Sequence, residues 1–125
     1  MEFEIPAPPK GVHPNARGHW VAKFRATRSY RDTVGQIVRA EVMRAGLERP
    51  LTTATVACLF IVKTHRKRDR DNALASLKAA FDAMQDGGLI ANDHGLTHAP
   101  VEFEVDREKA AFGPRVWVEV EGSWA

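Results

Sequence analysis

Two aspartates stand one residue apart in the run Arg66-Lys67-Arg68-Asp69-Arg70-Asp71-Asn72. In an extended segment the side chains at i and i+2 share one side. Asp69 and Asp71 are then expected to face together, with Arg70 turned away. Two neighbouring carboxylates repel unless a cation joins them. A hard divalent ion with oxygen ligands is the natural partner, because Mg2+ takes one or two protein carboxylates and completes its octahedron with water and phosphate oxygens. Mn2+ is the expected substitute, since carboxylate and water ligands suit it as well. Asp93, beyond the next helix and its diglycine turn, is expected to return to the same edge as a third carboxylate. Such a set suits phosphodiester hydrolysis, where a metal polarises the phosphoryl oxygen and stabilises the departing alkoxide. The same residues also have structural roles open to them. Asp71 suits a helix N-cap, Asp69 can pair with its arginine neighbours, and Asp93 before His94-Gly95 suits a turn.

The charge around these acids points to a polyanion. The net charge is only +2, but its distribution is uneven. Arg17, Lys23, Arg25, Arg28 and Arg31 occur with no acid between them, and Lys63, Arg66, Lys67, Arg68 and Arg70 with only Asp69. Cationic stretches of this kind meet phosphate backbones without reading sequence, although solvated surface segments share the pattern. Lys10, Arg17, Lys23, Arg25, Arg28, Lys63, Arg66, Lys67, Arg68 and Arg70 are the expected DNA contacts. Trp20 and Phe24 beside the first stretch suit stacking on opened bases, but packing of Trp20 over the edge of the core is the favoured expectation. His94 and His98 are four apart across Gly95, without Cys partners or a helix to make a zinc pair. His13 and His19 are expected to be exposed.

These residues need elements to hold them. Phe3-Glu4-Ile5 alternates as a short strand, and Pro6 to Gly11 opens a long loop running to about Phe24. Tyr30, Val34, Ile37, Val38 and Val42 lie at helical spacing within a helix from about Thr27 to Ala45, stopped by Gly46. Thr55–Lys63 is apolar and β-branched, the pattern of a strand buried on both faces. A second helix is expected from about Asn72 to Gln85, with Leu74, Leu77, Phe81 and Met84 as its core stripe and Gly87-Gly88 as terminator. Leu89-Ile90 is a brief extended element. Val101–Val105 and Val116–Val120 alternate as half-exposed strands, expected to form a hairpin. The order β-α-β-α-β-β specifies an α/β (α+β) domain, a mixed sheet packed with two main helices.

With 125 residues and an ordinary apolar content of 44%, the chain is expected to be a single domain with a loose tail at about 122–125. No stretch approaches the roughly 18 apolar residues of a membrane span, and the first ten residues lack the form of a secretory signal. The single Cys58 is expected to act as a small buried hydrophobe. A cytoplasmic protein of a bacterium or a phage-infected cell is the expectation, with no organic cofactor and no membrane partner.

The stretch RKRDRDN…LKAAFDAM…GGLIANDHGL resembles the signature of the RusA family of Holliday-junction resolvases, in which a basic run precedes D-x-D-N, a helix carries a lysine, and a Gly-containing turn leads to another acid. FEIPAPPKGVHPN resembles the family's opening strand and proline-rich turn, and Tyr30-Arg31-Asp32 its first helix start. The likeness runs from Phe3 to about Glu121. It implies a RusA-like fold, catalytic carboxylates Asp69, Asp71 and Asp93, and a catalytic lysine at Lys78. It also implies a Mg2+-dependent homodimer that makes paired nicks across a four-way DNA junction. Two features depart from the pattern. Lys78 follows Asp71 by seven residues, not by about one turn, leaving it either a catalytic or phosphate-contacting residue or a surface partner of Asp82. Asn92 stands beside Asp93, where an acidic pair is usual.

Overall fold

The computed structural model describes residues 1–12, 19–65 and 67–124, so Arg17, Arg66 and His13 lie outside the described residues. In chain order the elements are β1 (Glu2–Pro6), a 3₁₀ turn (Lys10–Val12), α1 (Trp20–Ala45), β2 (Thr53–Val62), α2 (Arg70–Ser76), α3 (Lys78–Asp86), a second 3₁₀ turn (Asp93–Gly95), β3 (Leu96–His98), β4 (Glu102–Val105) and β5 (Arg115–Ser123). The result is the expected single α+β domain, a mixed five-stranded sheet with its helices packed against it.

Strand β2 is the spine. It runs antiparallel to β5 along one edge, and β5 carries β1 beyond it. On its other edge β2 runs parallel first to β3, with Ala54 opposite Leu96, and then to β4, with Leu59 opposite Glu102. β4 and β5 therefore flank β2 from opposite sides and form no hairpin; their alternation is right, but their partner is the strand between them. β3 was not expected, because Leu96-Thr97-His98 is short and carries no apolar run. β2 alternates exposed and buried residues in its first half and is buried on both faces only from Phe60 to Val62.

Phe3 and Ile5, Val116, Val118 and Val120, and Ala54, Val56, Cys58 and Phe60 project from alternate positions into one core. Tyr30, Val34 and Val38 of α1 and Leu77, Ala80, Phe81 and Met84 of the second helical region cover it. Burial pushes the Cys58 thiol up to about 12, so it remains protonated and unreactive, as a core residue does.

Three boundaries differ from expectation. α1 begins at Trp20, seven residues before Thr27, with the His19 ring nitrogen Nδ1 accepting from the Val21 N–H at 3.2 Å. Its first turns overhang the core, so no apolar stripe marks them; Trp20 is 73% and Phe24 57% exposed, against the expected packing of Trp20. The second helix breaks at Leu77 (φ −86°, ψ 1°), where the Ser76 hydroxyl donates back to the Ala73 carbonyl at 2.7 Å and tightens the last turn of α2. The tail is held through residue 124: β5 runs to Ser123, and the Trp124 indole donates to the Arg49 carbonyl at 3.3 Å.

α1 and α3 are clasped. The Arg31 guanidinium donates twice to Asp86, at 2.6 and 2.8 Å. Gly87 lies so close to α1 that an added Cβ would sit 2.6 Å from a Val38 methyl. The Arg31 hydrogen bonds hold the Asp86 carboxyl below the ordinary 3.8, against a smaller upward push from burial. A lowered folded-state value stabilises above the unfolded pKa, and that stability is lost as pH falls through the folded value. Both partners are more than a third exposed, so solvent screening limits the effect. Asp86→Asn is expected to cost under about 1 kcal/mol at neutral pH. In urea melts the gap to wild type should close in acid, below the ordinary 3.8; a gap that persists there would mean packing, not the ion pair, holds the clasp.

Candidate nucleic-acid interface

The chain leaves the C-terminal end of β2 at Val62 and enters α2 at Arg70. Between them the Arg68 guanidinium closes the connection on itself, donating to the Thr64 carbonyl at 2.8 Å and hydroxyl at 3.3 Å. Asp69, not Asp71, is the N-cap of α2. Its backbone is extended (φ −90°, ψ 118°), and its Oδ1 accepts the N–H groups of Asp71 at 2.8 Å and Asn72 at 3.3 Å. Arg70 and Asp71 are already helical, so the extended geometry that would turn Asp69 and Asp71 to one side stops at Asp69.

A cleft of about 1080 Å³ opens beside this cap. Its floor includes Phe60, Val62 and Phe103, and one wall is the Asp69, Asn72, Ala73 and Ser76 side of α2. Lys10, Lys63, Lys67, Arg68 and Arg115 line it as well, so among the described lining residues five cations share the cleft with one carboxylate, Asp69. Lys63 and Lys67 are exposed, while Arg115 donates to Glu4 at 2.9 Å across the β1–β5 pair. Sequence reading missed Arg115 and the neighbouring Phe112. Arg115 sits at the start of a strand, where one cation forms no run, and Phe112 falls in a connection without periodicity.

The other expected residues are distributed differently. Asp71 and Lys78 are exposed, and neither is among the described residues lining the cleft. Lys78 opens α3 and does not pair with Asp82, whose carboxylate lies 3.9 Å from Arg31. Arg70 reaches Glu102 on β4 at 3.6 Å. Lys23, Arg25 and Arg28 are exposed on the overhanging first turns of α1. This overhang emerges at the Asp69 end of the sheet: the Tyr30 hydroxyl donates to the Pro6 carbonyl at 2.7 Å, and Pro6 lies across from Arg115, which pairs with Ile61. Burial raises the Tyr30 phenol well above its ordinary value, keeping it a hydrogen-bond donor.

Asp93 does not return to that edge. Ile90 bridges Leu51, the Gly95 Cα approaches the Thr52 carbonyl so closely that a Cβ would lie 2.0 Å from it, and Leu96 pairs with Ala54. All three contacts tie Asp93 to the beginning of β2, whereas Asp69 belongs to its end. Strands rise about 3.3 Å per residue, so the two ends of β2 to which these acids belong lie roughly 30 Å apart. Asn92 caps the 3₁₀ turn, its side chain accepting the His94 N–H at 3.0 Å, which gives the non-acidic residue a structural role. His98 packs on the Phe81 ring at 4.4 Å between centroids. Among the described residues no three His, Cys, Asp or Glu side chains converge to hold a metal ion.

Fold and site together define a small α+β domain that gathers cations beside a carboxylate where its central strand hands over to a helix. The sequence matches the family described as endodeoxyribonuclease RusA over residues 6–121, and the chain belongs to that family. It is also 27% identical over 106 residues to an uncharacterized protein of Xylella fastidiosa, covering 84% of this chain and 69% of that protein. No helix is long and apolar enough to cross a membrane among the described residues.

Because Asp69 caps α2, its substitutions separate folding from chemistry. Asp69→Ala is expected to lower stability by about 1 kcal/mol, while Asp69→Asn, an equally good cap, leaves stability near wild type. Urea denaturation of the two variants checks this; equal losses in both would show that the cap is not what Asp69 contributes to the fold.

Proposed function

We propose that this protein is a Mg2+-dependent, structure-selective endodeoxyribonuclease that resolves four-way DNA junctions by paired, symmetric nicks. The observation that carries the reading is the cleft at the end of β2, which five cations line together with Asp69, in a chain of the RusA family. Cations dominate where a phosphate backbone must rest, and a carboxylate stands where a metal ligand is needed.

Asp69, the carboxylate that lines the cleft, is the residue that would hold Mg2+, and Asp71, exposed one residue into α2 and outside the cleft lining, is the second candidate. The donor set fits, because this ion takes one or two protein carboxylates and leaves its remaining positions to water and substrate. When bound, it supplies Lewis acidity for phosphodiester hydrolysis. The chain's own residues do the rest. Lys63, Lys67 and Lys10 hold the backbone by charge and without base preference. The Asp69 cap holds one carboxylate fixed against the helix start, and Phe60 and Phe103 give the cleft an apolar floor. Lys78, Lys23, Arg25 and Arg28 contact flanking phosphates.

Homodimerisation supplies what one chain lacks. Asp93 belongs to the opposite end of β2, roughly 30 Å long, from its own Asp69, so as a metal ligand it serves the site of a second copy. A two-fold pairing that sets the end of one β2 against the beginning of the other creates two such sites at once, matching two symmetric nicks. A second reading, a junction-binding protein without cleavage, is favoured by the absence of a converging carboxylate trio among the described residues and by the neutral Asn92.

Cleavage of a labelled synthetic four-way junction in Mg2+ separates the two. Asp71→Asn is expected to reduce cleavage by roughly 10²-fold or more, the scale of losing a group that stabilises transition-state charge, with junction binding retained. Co-folding Asp71→Asn chains with Asp93→Asn chains is expected to restore single nicks, since each mixed dimer keeps one complete site. Binding without nicks by the wild type under Mg2+ or Mn2+ would establish the second reading. Wild-type cleavage without rescue in the mixture would place Asp93 outside the site.

A further inference from the structure

Phe112 is fully exposed, the most exposed of the large apolar side chains, at 106% of its reference area. It stands on the rim of the Asp69 cleft, in the connection from β4 to β5. This connection is not a loose tip. The Asp106 N–H donates to the Val62 carbonyl at 2.9 Å at its start, and the Pro114 carbonyl accepts from the Ala7 N–H at 3.1 Å at its end. Between these anchors Ala110 is completely buried, and Ala110 N–H to the Asp106 carbonyl (3.0 Å) and Gly113 N–H to the Ala110 carbonyl (3.0 Å) close successive turns. Gly113 at φ 122° then reverses the chain, a conformation that L side chains rarely adopt. The turn is fastened to the ends of β1 and β2, the same ends that frame the cleft, and it holds a bare aromatic ring out beside it.

We propose that Phe112 is the base-stacking element of the cleft, taking an unpaired nucleobase next to the phosphate that the surrounding lysines hold. The inference rests on the reading of the cleft as a branched-DNA site and names the part of the substrate that the ring selects. Charge decides the occupant. The cleft that the ring overlooks is lined by Lys10, Lys63, Lys67 and Arg115, a poor surface for an apolar protein partner and a suitable one for a nucleic-acid strand. An aromatic ring beside a cationic groove is the arrangement that binds single-stranded nucleic acid, with the groove following the backbone and the ring taking the face of a base. In an intact duplex no base face is free, whereas bases at a branch point can unstack. The ring therefore contributes to junction binding and not to duplex binding, and gives the cleft a structural preference without base readout.

The test compares a four-way junction with a duplex of the same sequence, binding each in EDTA to wild type, Phe112→Ala, Phe112→Leu and Phe112→Trp. Losing one stacked base is expected to weaken junction binding by about tenfold or more in Phe112→Ala, with duplex affinity unchanged. Phe112→Leu, apolar but without a ring face, should lose as much, and Phe112→Trp should keep wild-type preference. Equal junction preference in wild type and Phe112→Ala, or equal losses on junction and duplex, would overturn the stacking role alone. Weaker self-association of Phe112→Ala at sedimentation equilibrium, with unchanged DNA affinity, would assign the ring to a protein interface and overturn it too. A wild type that binds no branched DNA would overturn this inference together with the reading beneath it.

Discussion

Strand β2 is hydrogen-bonded along both edges, to β5 on one side and to β3 and then β4 on the other. A strand paired in this way cannot slip, because a one-residue shift would turn Val56, Cys58 and Phe60 out of the core. Its two ends are consequently fixed points. The C-terminal end delivers the chain to the Asp69 cap and to Lys63 and Lys67; the N-terminal end receives the Asp93 turn through Leu51, Thr52 and Ala54. Parallel pairing of β2 with β3 requires the intervening helices to run back along the sheet, which separates the two acidic positions by the length of the strand. The proposed pairing with a second copy rests on this one topological fact.

The cleft gathers its cations from elements distant in sequence. Lys10 follows β1, Lys63 and Lys67 follow β2, and Arg115 opens β5. These strand ends meet on one side of the sheet because β1 and β2 run the same way and β5 runs against both. Phe60 and Phe103, 5.5 Å apart between centroids, close the floor. The clasp between Arg31 and Asp86 holds α1 against α3, and the first turns of α1 extend from that clasp past Pro6, carrying Lys23, Arg25 and Arg28 toward the same end of the molecule.

Much of this was legible in the sequence, and the gaps have physical causes. The strand, helix and diglycine patterns located β1, most of α1, β2 and the second helical region, because burial leaves a periodic trace. The basic run around Asp69 was legible for the same kind of reason, being contiguous. Arg115 and Phe112 were not, since they join the cleft only through strand pairing. The overhang of α1 was hidden because exposed turns carry no apolar stripe. The placement of Asp93 was within reach: a helix from 72 to 85 is itself about 20 Å long, so its two ends cannot share an edge. The identity of the N-cap turned on local hydrogen bonds that neither Asp69 nor Asp71 announces by residue type.

Where a divalent ion binds decides between a nuclease and a junction-binding protein. Fe2+ in place of Mg2+, with ascorbate and peroxide, cuts a protein backbone close to the ion, and fragment mapping reports the positions. On the junction-bound protein, cuts are expected between Lys63 and Ala73 together with cuts around Asp93, both abolished by Asp69→Asn combined with Asp71→Asn. Cuts confined to the neighbourhood of His94 and His98, or no localised cuts at all, would contradict the nuclease reading.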